Sequence, residues 1–262
     1  MAGERPAAPH VTERAIAEGG LMAEAETPCG IEDACAANLL DRPVVLFDFD
    51  GTLANTAPLV MKLAERTLAE NGFTREQMGD LRRIVGPPLV DGFRDIFGLT
   101  QEEAERITGE YRRRFDTEAV PEDYPLMPGV ADLLELLSQA GKRLAVATSR
   151  REGGARTMVA ALGIDRYFET VMGLLEPVRH TKADSIRCAL DALGAAPDDA
   201  LMVGDRYHDV EGAHEVGVPC IGLSAGAAAP GELEAAGADL VLPAITDLLA
   251  LFRGHLAADG RA

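Results

Sequence analysis

Tryptophan is absent from the 262 residues, aromatic residues make up only 5%, and lysine occurs three times beside 22 arginines. Cations are outnumbered as well, with 25 Lys and Arg against 43 Asp and Glu, a net charge of −18. That balance argues against nucleic acid and anionic membrane surfaces as partners, because both demand basic patches. No apolar run approaches the ~18 residues that a membrane-spanning helix needs. The N-terminal stretch lacks a basic segment followed by an apolar one, the pattern of an export signal. The four cysteines, Cys29, Cys35, Cys188 and Cys220, show no metal-type spacing. They are expected to be free thiols in a cytoplasmic protein.

What is present is ample apolar content, 47%, enough for a packed core. The length suits one large domain or a core carrying a smaller insert. Residues 1–40 are rich in Ala, Glu, Gly and Pro without a sustained apolar period, and are expected to be a mobile extension.

The chain is organised around Val44-Val45-Leu46-Phe47-Asp48-Phe49-Asp50-Gly51-Thr52. A short apolar run bounded by a glycine turn reads as a buried parallel strand. It delivers Asp48 and Asp50 at the strand's C-terminal end, where open α/β sheets bind ligands. Two close carboxylates in a partly buried site repel each other unless a cation offsets them, and oxygen ligands of this kind suit Mg²⁺.

Between Asn55 and Pro125 the pattern is helical: a helix to Asn71-Gly72, another over Thr74 to Val85, a break at Gly86-Pro87-Pro88, and Leu89 to Phe97. A longer helix begins at Thr100, an N-cap with Glu103 three residues on. About 70 residues without a strand read as a helical cap inserted after the first strand rather than a crossover helix. From Met127 a βα rhythm resumes, with strands over Arg143–Ala147, Phe168–Met172, Ala200–Val203, Pro219–Leu223 and Leu240–Leu242. Strands alternating with helices predict a doubly wound, Rossmann-like parallel sheet, an α/β fold with a small inserted α-helical cap. The expected division is a core of 41–54 and 126–254, a cap of 55–125, and a tail of 255–262.

Three of these strands end in polar groups: Asp48 and Asp50, Thr148 and Ser149, and Asp205. Lys182 opens the helix before the third, and Asp209 follows Asp205 by one turn. A cation at a helix start gains nothing from the helix dipole, so Lys182 is not there for helix stability. Such a set supplies what phosphoryl transfer through an aspartate requires: a carboxylate nucleophile, a second carboxylate for proton transfer, and cations for the transferring oxygens.

These motifs resemble those of the haloacid dehalogenase superfamily, in its phosphoglycolate phosphatase and 5′-nucleotidase-like branch. Asp48-Phe49-Asp50-Gly51-Thr52 is similar to the first motif, Thr148-Ser149 to the second, Lys182 to the third and Gly204-Asp205-Arg206-Tyr207-His208-Asp209 to the fourth, over roughly residues 43–250. The resemblance implies Asp48 as nucleophile, Asp50 as general acid/base, and Thr148 and Lys182 as phosphoryl ligands. It places Mg²⁺ on Asp48, the Asp50 carbonyl, Asp205 and Asp209. Thr52 and Ser149 are expected to bind substrate, with Arg82 and Arg83 contributing from the cap and Gly86-Pro87-Pro88 facing the site. Asn55 departs from the Asp common at that position.

The expected activity is Mg²⁺-dependent hydrolysis of a small phosphomonoester of the phosphoglycolate type. A 5′-nucleotide or pyrophosphate is the alternative substrate. A dehalogenase has no use for Asp50, Asp205 and Asp209, and a phospho-acceptor domain needs no cap. A phosphomutase and a silent binding module are the remaining readings. The expected partner is a small phosphorylated metabolite, with the protein a monomer or homodimer.

Overall fold

The computed structural model describes residues 38–258 and Gly260, so the expected extension over 1–37, with Cys29 and Cys35, lies outside the described residues. Six strands form one sheet: β1 (Val44–Phe47), β2 (Arg143–Arg151), β3 (Thr170–Leu174), β4 (Ala200–Gly204), β5 (Cys220–Leu223) and β6 (Leu240–Leu242). Their order is β3-β2-β1-β4-β5-β6 and every pairing is parallel. This is the α/β, doubly wound arrangement that the alternating pattern predicts.

The apolar runs explain the layers. On β1, Val45 and Phe47 belong to one core cluster and Val44 and Leu46 to another, as the two-residue period of a strand requires. The second cluster is closed by α7 (Lys182–Leu193), α8 (Tyr207–Val216) and the short α9 (Glu232–Ala235). The first is closed by α5 (Val130–Gln139), α6 (Glu152–Ala161) and α10 (Ile245–Ala258), and it continues into the helices that follow β1. With both faces covered, β1 and β4 are fully buried, and their near-continuous apolar composition follows.

Four helices lie between β1 and β2: α1 (Ala57–Glu70), the short α2 (Arg75–Met78), α3 (Leu89–Phe97) and α4 (Gln101–Glu118). The stretch read as one helix over 74–85 divides into α2 and a 3₁₀ turn at Leu81–Ile84, because Gly79 takes φ +56° between them. Thr100 and Glu103 form the capping box that opens α4. The insert's interior is aromatic: Phe93 stacks with Phe97 and Tyr111, and Tyr111 with Phe115. The two chain crossings run side by side. The Asn55 amide donates to the Pro125 carbonyl at 2.8 Å and the Met127 amide to the Leu53 carbonyl at 2.9 Å.

Three boundaries differ from the sequence reading. Leu39 and Leu40 are buried in the core, so the core begins before residue 41. The final helix runs to Ala258, into the expected tail of 255–262, because Leu256 is buried and keeps the last turns packed. Strand β2 extends past Ala147 to Arg151, with its register against β3 shifting between those residues. Thr148 and Ser149 are therefore on the strand's extension. Cys188 and Cys220 are free, and among the described residues no helix is long and apolar enough to cross a membrane.

Phe93 is fully buried at the centre of the insert's aromatic group. Truncating it leaves a cavity that the rings around it cannot close. Phe93→Ala is expected to lower unfolding free energy by ~3–5 kcal/mol, measured by urea denaturation. A loss under 1 kcal/mol would mean that these helices are held by something other than their aromatic packing.

Candidate active site

The strand order reverses at β1, and the crevice at a reversal is where strand ends leave room for a ligand. Asp48 follows β1 directly, Thr148 and Ser149 lie near the end of β2, and Asp205 follows β4. The Asp48 amide donates to the Val203 carbonyl at 2.9 Å, which fixes the first acid against the strand that delivers the third.

Lys182 joins the carboxylates. Its Nζ lies 2.5 Å from Asp48 Oδ1 and 2.6 Å from Asp209 Oδ1, and it also donates to the Ala147 carbonyl at 3.1 Å. Ser185, one turn along α7, donates to the Thr148 carbonyl at 3.1 Å. The first turn of α7 is thus pinned to β2. Gly212 on α8 makes room for it, since a Cβ there would meet Lys182 Cγ at 2.7 Å. Asp209 works from both oxygens: Oδ2 accepts the amides of Asp205 and Arg206 at 3.1 and 3.0 Å, while Oδ1 faces Lys182.

Asp48, Asp205 and Asp209 are all buried, and each offers a carboxylate oxygen within 4.8 Å of the others. Asp205 accepts the Ala227 amide at 2.6 Å and the Thr52 hydroxyl at 3.4 Å. Gly51, at φ +82°, lies against the Asp205 carboxylate so closely that any Cβ would collide with it. The Asp50 carboxylate stands apart from this triad. Arg150 grips it with two hydrogen bonds, Nη2 to Oδ1 at 2.6 Å and Nε to Oδ2 at 3.0 Å.

The electrostatics follow from burial. Burial, with the charges of Asp209 and Asp50, pushes the Asp48 carboxyl up to about 7 against the pull of Lys182. Burial, with the charges of Asp209 and Asp48, holds Asp205 well above the carboxylate range. Burial works against the Lys182 charge too, but Asp209 and Asp48 outweigh it and keep the ammonium charged. At Asp50 burial is likewise outweighed, by the Arg150 guanidinium, and its carboxyl lies below its ordinary value. With all four carboxylates ionised, they would face two buried cations, Lys182 and Arg150, with an excess of two negative charges that the raised Asp48 and Asp205 carboxyls relieve by holding protons. A divalent cation on the oxygens of Asp48, Asp205 and Asp209 would balance that excess, and an all-oxygen donor set is the chemistry that hard cations take.

A cavity of about 740 Å³ opens from this crevice between core and insert. Asp50, Ser149 and Arg150 line its floor, and Ile84, Val85, Gly86 and Pro87 contribute from the insert. Arg206, in the loop after β4, donates to the Val85 carbonyl and pairs with Glu232 at 2.7 Å.

Of the residues expected at the site, Asp48, Asp50, Thr148, Lys182, Asp205 and Asp209 gather at one end of the sheet, and Ser149 lines the cavity. Thr52 does not; its hydroxyl is on Asp205, which places it among the acids rather than along the cavity. Arg82 and Arg83 are not brought to this end of the sheet. The 3₁₀ turn aims Ile84 and Val85 inward, leaving both arginines exposed and outside the cavity lining, with Arg82 on Asp80 at 2.7 Å. Sequence reasoning missed Arg150 and Arg206. The Arg150-Arg151 doublet beside Thr148-Ser149 was the available signal, hidden by ending the strand at Ala147.

The chain belongs to the haloacid dehalogenase-like hydrolases, whose family profile matches residues 45–223. It is 35% identical over 194 residues to a 5′-nucleotidase of Pseudomonas aeruginosa, covering 74% of this chain and 87% of that protein. It is 31% identical over 215 residues to the pyrophosphatase PpaX of Listeria welshimeri, covering 80% and 95%. Among solved structures it resembles a predicted phosphatase from Clostridium acetobutylicum, with a TM-score of 0.76, 30% identity, and coverage of 81% of this chain and 99% of that one.

The raised Asp48 carboxyl has a consequence for stability. Unfolded, it titrates near ~3.9, and folded near 7, so between those values the folded, metal-free protein binds more protons. Its contribution therefore falls as pH rises through that window. Asp48→Asn removes that dependence and leaves every other titrating group in place. The melting temperature of Asp48→Asn minus wild type, without metal, is expected to grow by several degrees from pH 5 to pH 7.5. Mg²⁺ at pH 7.5 should raise the wild type more than the variant. A difference independent of pH would show that Asp48 is ionised without a cation.

Proposed function

We propose that this chain is a Mg²⁺-dependent phosphatase that hydrolyses a small phosphomonoester of the phosphoglycolate type through an aspartyl-phosphate. The observation that carries the reading is the buried cluster of three acids around Lys182, two residues along the chain from a separate carboxylate, Asp50, that lines a cavity. Asp48 is the nucleophile. Its oxygen bonds to phosphorus as the bond to the ester oxygen breaks, and Asp50, which takes up a proton from solvent when the ester binds, passes that proton to the leaving oxygen. Asp50 then takes a proton from water, which attacks phosphorus, releases phosphate and restores the Asp48 carboxylate. Lys182 and Thr148 hold the transferring oxygens. Mg²⁺, held by Asp48, Asp205, Asp209 and the Asp50 carbonyl, would supply the charge that lets an anionic ester approach these acids.

Support for a phosphatase comes from the names of the relatives, and the insert over the cavity supports exclusion of bulk water during transfer. A 5′-nucleotide is the second reading, favoured by a cavity far larger than phosphoglycolate and by the Pseudomonas relative.

Phosphate release from 2-phosphoglycolate, 5′-nucleotides, pyrophosphate and an aryl phosphate, with and without Mg²⁺, tests the reading. Asp48→Asn is expected to abolish release. Asp50→Asn is expected to slow it ~10²–10⁴-fold. Wild-type turnover by Asp48→Asn would remove the nucleophile from this scheme.

A further inference from the structure

The assignment of Asp50 as the proton donor meets an obstacle in the geometry: both of its carboxylate oxygens are already taken by Arg150. The grip is two-pronged and mostly shielded from solvent, with 14% and 13% of the two side chains exposed. On its far side the Arg150 guanidinium lies over the ring of Phe115, 4.7 Å from the centroid, so it is held between the core strand β2 and the insert helix α4. Its Nη1 makes no hydrogen bond among the described residues.

Two further guanidiniums line the same cavity, Arg112 from α4 and Arg151 from β2. Arg112 is half-buried and makes no hydrogen bond or close ion pair among the described residues. Burial, then the like charge of Arg151, makes its own charge harder to keep. Of the acids that line the cavity, Asp50 is held by Arg150, Glu152 by Arg156 and Arg179, and Glu176 by His180 at 3.0 Å, while Asp116, one helical turn after Arg112, favours the Arg112 charge together with Glu176. In a chain carrying a net −18, three guanidiniums thus face one cavity against four acids, of which Asp116 alone makes no hydrogen bond or close ion pair among the described residues.

Resting on the phosphatase reading, we propose that Arg150 is the specificity-determining residue of the site and that the substrate carries a second anionic group, carboxylate or phosphate, on its leaving group. In the free protein Arg150 covers Asp50. A second anion in the cavity draws the guanidinium off, one two-pronged oxyanion replacing another, so the exchange leaves Arg150 paired throughout. Arg112 and Arg151 supply the field that brings the anion to that end of the cavity. Asp50 is then uncovered beside the leaving oxygen only when such a substrate is bound. A phosphomonoester with a neutral leaving group leaves the Arg150 grip closed.

Calorimetric titration in Mg²⁺ buffer tests this on Asp48→Asn, which holds an ester without turning it over. The paired ligands are 2-phosphoglycolate against 2-hydroxyethyl phosphate, and propane-1,3-diol bisphosphate against the monophosphate. The doubly anionic member of each pair is expected to bind about 10- to 100-fold tighter. Adding Arg150→Ala should bring that ratio close to one, and Arg150→Lys should keep part of it. The pair with the larger ratio identifies the second anion as carboxylate or phosphate. A ratio near one before Arg150 is changed, a ratio that survives Arg150→Ala, or an equal loss for both members would overturn the proposal. Failure of wild type to hydrolyse any ester would sink the phosphatase reading instead, while the binding ratios still decide the role of Arg150.

Discussion

Lys182 is the interaction on which the rest of this site depends. Three carboxylates brought within 4.8 Å of one another in a buried crevice repel strongly, and the ammonium wedged between Asp48 and Asp209 is the positive charge at their centre. Its position is secured by structure rather than by charge alone. Thr181 caps α7 by accepting the Asp184 amide, Ser185 ties the helix to Thr148, and Gly212 leaves space where any side chain would press on the lysine stem. A lysine held in this way keeps the acidic residues together without using up their outward oxygens. A cation or a phosphoryl group can then complete the arrangement rather than disrupt it.

The parallel sheet explains why these groups meet. Each strand leaves its last residue at the same edge, and the reversal at β1 opens a gap there instead of a helix crossing. Asp48 and Asp205 come from neighbouring strands on the two sides of that gap, separated in sequence by most of the chain. The insert adds a second wall. Because its two crossings are hydrogen-bonded to each other beside Asp50, the insert is anchored next to the acid it overhangs.

Much of this was legible in the residues. The short apolar run of Val44 to Phe47, the Asp-rich strand ends and the capping signal at Thr100 are local features, and local physics fixes them. What escaped notice depends on contacts across the chain. Arg82 and Arg83 are indistinguishable in sequence from arginines that face a ligand; only the 3₁₀ turn decides that Ile84 and Val85 point inward. Arg150 passes without a signal because nothing near it in sequence reveals that Asp50, a hundred residues away, needs a partner. Thr52 was placed with the substrate because its motif is known by residue type, whereas its hydroxyl is spent on Asp205. The end of β2 was set four residues early, since polar side chains that follow an apolar run read as a turn until pairing with β3 is seen to continue.

Arg206 belongs to the loop between Asp205 and Asp209, yet its guanidinium ends on the Val85 carbonyl of the insert, with Glu232 steadying it from behind. The short turn from β4 into α8, which sets Asp205 beside Asp209, and the loop that overhangs the cavity therefore share one side chain. Anything that tightens the acids around a cation also biases where the overhang rests. By thermodynamic reciprocity, a ligand that draws the overhang down raises the affinity of the acids for that cation to the same degree. On the proposed function, the metal and the ester would be coupled ligands even where they do not touch.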